Sequence, residues 1–176
     1  MESIKILLLA IGAAVVFGIL HDQVTAHICV EYFTIGHPPV FDTTSPTLLA
    51  LGWGVIATWW VGLILGISMA CAARLGDRPK LTANALMRPI GILLCGMPVL
   101  CLAAGLAGYA AANNGAVWLL EPLRSVLPVE KHAAFIADLW SHLAAYGSGF
   151  IGGIVICLWS WRRRGKLEPQ VERAAS

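Results

Sequence analysis

The chain has 176 residues, 58% of them hydrophobic and only 12% charged, with a net charge of +2. Ordinary soluble domains carry roughly a quarter charged residues, so lipid rather than water is expected to be the main solvent. The small net charge, without a basic stripe interleaved with aromatics, argues against a nucleic-acid partner.

A helix rises about 1.5 Å per residue and the hydrocarbon core is about 30 Å thick, so a span needs about 20 mostly apolar residues. Four stretches qualify, at 4–20, 48–71, 90–112 and 143–161. Lipid leaves an open sheet unsatisfied, so all four are expected to be helices. The expected fold is an all-α, four-helix transmembrane bundle forming a single membrane domain over 1–176. Arginine-rich AARLGDRPKLTANALMR separates the second and third spans, and WRRRGK follows the fourth. Of the 12 Lys and Arg, all but Arg124 and Lys131 fall on that side. The positive-inside rule therefore places both segments and both termini in the cytoplasm, in a bacterial inner membrane. A cleaved secretory signal ending at Val24-x-Ala26 competes with this reading. Glu2 and Lys5 cancel, however, and deny such a signal its positive start.

The outward connection after the first span contains Pro38, Pro39 and Pro46, which force a turn. The second opens on Asn113-Asn114-Gly115 and runs into a mixed apolar and charged segment, with Trp118 expected at headgroup depth. Gly62 and Gly66, and Gly149 and Gly153, make small-x-x-x-small steps suited to close helix contacts. The five cysteines stand singly and read as apolar packing residues.

All five histidines lie toward the outer side. If the first helix continues outward to about residue 34, Gln23, His27 and Glu31 form one ladder, with His21 and Tyr32 on the neighbouring face. If the fourth helix starts near residue 132, Asp138 and His142 share a face and His132 lies farther out. Counting outward from each span puts His21 level with His142, His27 near Asp138, and Glu31 near His132. These sets meet if the first and last helices are neighbours, as in bundles closed by short connections. A charged carboxylate is costly at a helix centre, so Asp22 and Asp138 belong at the outer boundary.

His21, His27, Glu31, Asp138 and His142 are thus the candidate metal ligands, with Asp22, Gln23, Tyr32, His37 and His132 as supporting or additional groups. Mixed imidazole and carboxylate donors suit zinc, ferrous iron or manganese, and the lack of clustered Cys and Met argues against cuprous or iron–sulfur sites. Neither H-E-x-x-H nor the E-x-x-H pairs of di-iron bundles occur. No Ser, Thr or Cys has a credible paired base.

The run HDQVTAHICVEYFTIGHP, with the later ADLWSH, resembles a group of small bacterial four-span membrane proteins. The resemblance covers most of the chain, implies four spans and carries no activity. Three functional readings follow from the residues. One is a metal site serving a membrane-associated substrate. Another is haem b held by His27 and His142 or by His21 and His132. The third is a proton-linked or pH-sensing subunit, acting in a homo-oligomer or a membrane complex.

Overall fold

The computed structural model describes residues 1–175, with side chains through Glu168. It is all-helical, with 80% of residues in helices. Helix α1 runs Glu2–Ile28, the short α2 Val30–Thr34, α3 Pro46–Ile56, α4 Trp59–Arg74, α5 Ala83–Asn113, the short α6 Leu123–Val126, and α7 His132–Ala175. Four helical units are long and apolar enough to cross a membrane: Glu2–Ile28, Pro46–Arg74, Ala83–Asn113 and Val129–Glu168. Large apolar side chains such as Leu8, Val16, Ile92, Leu102, Ile151 and Leu158 point outward, as lipid-facing residues do.

Helix packing differs from the expected order. α1 lies along α3 and α4, and α7 lies along α5 and α4, so α1 and α7 are diagonal partners that meet only locally. Glycines supply the physical reason. A Cβ on Gly54 would stand 2.6 Å from the backbone of Ile19, and one on Gly62 would stand 2.6 Å from Cα of Ile11. Such approach favours dispersion packing where lipid removes the hydrophobic drive between helices, and it fastens α1 to the second span. Gly66 meets Leu7 and Ala10, and Gly153 meets Leu65, so these also serve packing.

The first helix does not continue to residue 34. Cys29 takes extended backbone angles (φ −144°, ψ 89°), and α2 restarts one residue later. The break lets Tyr32 and Phe33 turn into the bundle, where both are buried together with Cys29. The second span is also interrupted, at Ala57 and Thr58. There the Thr58 hydroxyl donates to the Gly54 carbonyl and helps satisfy the broken ladder. The fourth helix begins at His132 after a 3-10 turn over Val129–Lys131, close to the expected start.

At the arginine end, Arg164 is only 2% exposed. Its guanidinium donates to the carbonyls of Pro79 (2.8 Å), Ala72 (3.0 Å) and Arg78 (2.9 Å), fixing the α4–α5 connection. Arg74 donates to the Leu81 carbonyl at 2.8 Å, and a Glu2 carboxylate oxygen accepts the Ala83 N–H at 3.1 Å. This end is closed and well tied. At the opposite, histidine end, α1 and α7 converge on polar side chains.

Candidate functional site

His21 and Asp22 occupy the last turns of α1, and His142 lies in the outer part of α7. Their ligating atoms all lie within 4.8 Å of one another. The rings of His21 and His142 meet edge to face, with centroids 4.7 Å apart, so the two residues stand at one height although their helices are diagonal. Asp22 is only 5% exposed. Phe17 stacks on His21 from one helical turn below, and Tyr32 stacks on His142 with centroids 4.5 Å apart.

Hydrogen bonding fixes the chemistry of His142. Its Nδ1 lies 2.7 Å from the Asp138 carbonyl, which can only accept, so Nδ1 carries a proton. In the neutral ring the lone pair is then on Nε2, 3.3 Å from Asp22 Oδ1. Two acceptors at that distance repel unless a proton or a cation lies between them. Two donors at about 2.0–2.1 Å from a tetrahedral ion stand roughly 3.3 Å apart, which fits the observed gap. His21 Nε2 is buried and has no hydrogen-bond partner among the described residues. An unsatisfied nitrogen beside this pair is a third available donor.

Other sequence candidates are placed elsewhere. His27 is exposed; its Nδ1 donates to the Gln23 carbonyl at 2.7 Å and its Nε2 lies 3.5 Å from Thr47 Oγ1. The Gln23 amide donates to the Thr47 carbonyl at 3.1 Å, so this pair fastens α1 to the start of α3. His132 Nε2 faces the Leu127 carbonyl at 3.1 Å. His37 donates from Nδ1 to the Tyr32 carbonyl at 2.8 Å and packs on Phe33 and Trp53. Asp138 is 1% exposed and its Oδ2 has no partner among the described residues, while its carbonyl orients His142.

Glu31 loses its place on the ladder because the chain breaks at Cys29. It instead meets Lys131 at 3.2 Å and accepts from the Cys29 thiol at 3.4 Å. Partial burial acts to raise the Glu31 carboxyl pKa but is outweighed by its own backbone N–H, Lys131 and Cys29, which hold it below the usual value. A depressed carboxylate stabilises the fold above its unfolded pKa, and that contribution is lost as pH falls through the folded value. The Lys131→Met variant is therefore expected to melt slightly below wild type at neutral pH, by under about 1 kcal/mol in stability. The difference should vanish well below pH 4, as thermal unfolding at both pH values would show. Burial first, then neighbouring groups including Asp138 and Glu31, pushes the Cys29 thiol up to about 12, so it stays neutral and is no ready metal ligand. Burial, followed by Tyr146, Asp138 and Asp22, likewise keeps the Tyr32 phenol protonated.

Below the cluster lies a cavity of about 130 Å³, running from His21, Asp22 and His142 down to Met69 and Ile90 between the helices. Its aromatic rim includes Phe17, Tyr32, Phe33 and Trp53.

The place of Asp22 beside both imidazoles does not follow from helix-face counting, which sets neighbouring residues about 100° apart and gives the face to His21. At the histidine end both side chains line the cavity and both meet His142 of α7. Comparison with known proteins adds no relative: no family model, curated protein or solved structure matches the chain.

Proposed function

We propose that this is an integral membrane protein that binds a divalent metal ion through His21, Asp22 and His142, at the polar end of an apolar cavity. The observation that carries the reading is the aim of His142 Nε2 at Asp22 Oδ1, 3.3 Å away, with the other ring nitrogen anchored on a backbone carbonyl. Metal-binding histidines are oriented in this way, by donating their second nitrogen to a carbonyl or carboxylate. Two imidazoles and one carboxylate suit ferrous iron, zinc or manganese, and three protein donors leave positions open for water or substrate.

Charge bias toward the arginine end supports an inner-membrane placement with the site facing outward. The apolar cavity suits a membrane-associated substrate, with Tyr32 and Asp138 shaping the ligand positions. A haem between helices has less support. The 4.7 Å between the His21 and His142 rings admits no porphyrin, His27 is exposed, and His132 is engaged by Leu127.

Metal analysis of purified protein after loading tests the proposal. One metal per chain is expected, unchanged in His27→Ala, whose ring lies outside the cluster. Metal lost on His27→Ala but kept on His21→Ala would contradict it. A second reading rests on the same 3.3 Å contact: a doubly protonated His142 paired with Asp22 forms a metal-free ion pair, as a proton-linked subunit requires. Function that persists in strong chelator would favour it.

A further inference from the structure

We infer that the cavity beneath the His21, Asp22 and His142 cluster is a binding site for the hydroxylated aromatic ring of a membrane-soluble phenol or quinol. The inference rests on reading those three residues as one functional centre, and adds the class of ligand it serves.

Size sets the first limit. An apolar cavity of about 150 Å³ accepts a benzene ring, and the space here is about 130 Å³. The space is of the size that one six-membered ring takes.

Polarity sets the second. The Thr58 hydroxyl is spent on the Gly54 carbonyl, and the Tyr146 hydroxyl donates to the Ala57 carbonyl at 3.3 Å. The other polar side chains of the lining stand at the histidine end, where Tyr32, His37 and Trp53 flank three converging groups: the Asp22 carboxylate, His142 Nε2 and the unpartnered His21 Nε2. These are acceptors or metal donors, so the complementary ligand presents a hydroxyl, either as a hydrogen-bond donor or as an oxygen ligand to the ion. Flanking Phe17 and Trp53 offer ring faces for stacking.

The cavity is also not a by-product of helix packing. Gly18 and Gly62 line it, but a Cβ at either would strike the opposing helix. At Gly149 a Cβ would meet only Met97 Cε, at an ordinary 3.5 Å. Nothing in the packing demands a glycine there, yet a side chain would fill the cavity.

The test is fluorine NMR of 4-fluorophenol and of fluorobenzene, each titrated with protein in detergent micelles, with and without zinc. Wild type is expected to bind 4-fluorophenol at least tenfold more tightly than fluorobenzene. Gly149→Val should weaken both at least tenfold, and His21→Ala should erase the preference while leaving fluorobenzene bound. If Gly149→Val fails to fold, Gly149→Ala replaces it, with a loss of at least threefold expected. Equal affinity for the two probes in wild type, or binding indifferent to the Gly149 variant that folds, overturns the inference. Stoichiometric zinc without a phenol preference does so too, and leaves the metal reading standing. A phenol preference in protein that takes up no metal keeps the inference and removes the metal reading.

Discussion

Replacing His142 with Ala is expected to weaken zinc or ferrous-ion binding by at least about 100-fold. Changing a group that merely orients a ligand typically costs 10–100-fold, and loss of one of three direct donors costs more. A factor of 100 corresponds to about 2.7 kcal/mol. The ring is held from three sides: Nδ1 on the Asp138 carbonyl at 2.7 Å, Tyr32 stacked on its face, and Nε2 aimed at Asp22. Little of the binding energy is therefore spent on ordering it. His21→Ala should act in the same direction, since its buried Nε2 gains a partner only when the site is filled. Competition against a chromophoric chelator at fixed pH reads the affinity directly. Thermal unfolding offers a second readout, because saturation at about 100 times the dissociation constant stabilises wild type by about 2.7 kcal/mol. That increment should disappear in His142→Ala. An unchanged affinity would leave His142 as a packing residue paired with Asp22.

Arg164→Leu is expected to destabilise the fold by at least about 3 kcal/mol, since a buried carbonyl left without its donor costs about 1–3 kcal/mol and three lose theirs. Three carbonyls, from Ala72, Arg78 and Pro79, depend on this one guanidinium. Each would be left without that donor in a site where Arg164 itself is almost fully buried. Arg164→Lys should recover only part of the loss, because a point charge cannot serve three diverging acceptors as a planar fork does. Thermal unfolding in detergent measures both. Since the clamp lies at the far end from His142, folded Arg164→Leu should keep wild-type metal affinity. A loss of stability under about 1 kcal/mol would show that the connection is held by other contacts.

Much of the architecture was legible in the amino-acid order because spanning helices obey length and hydropathy. The four apolar stretches follow from those constraints alone, whereas they place the fourth only from about residue 143 and the helix in fact begins at His132. Equal height of His21 and His142 was also countable, since both rises are measured from the same bilayer edge. Three features were not. The break at Cys29 depends on burying Tyr32 and Phe33 against helices distant in sequence, a tertiary gain that overrides local continuity. Neighbour order depends on close backbone approaches at Gly54 and Gly62, whereas loop length suggested a different ring. Asp22 reads only as a supporting group when one helix face is followed, because its partner is 120 residues away. His27 misled for the opposite reason: its spacing from Gln23 is helical, but the face they share is fastened to Thr47 rather than directed into the bundle.

X-ray absorption at the zinc edge of the loaded protein reads out whether His21, Asp22 and His142 hold the ion. One bound zinc per chain is expected, with two imidazole nitrogens and carboxylate or water oxygens, all at about 2.0–2.2 Å. One imidazole should be lost in each of His21→Ala and His142→Ala. A spectrum with sulfur ligands, or one whose imidazole count is unaffected by either substitution, would contradict it.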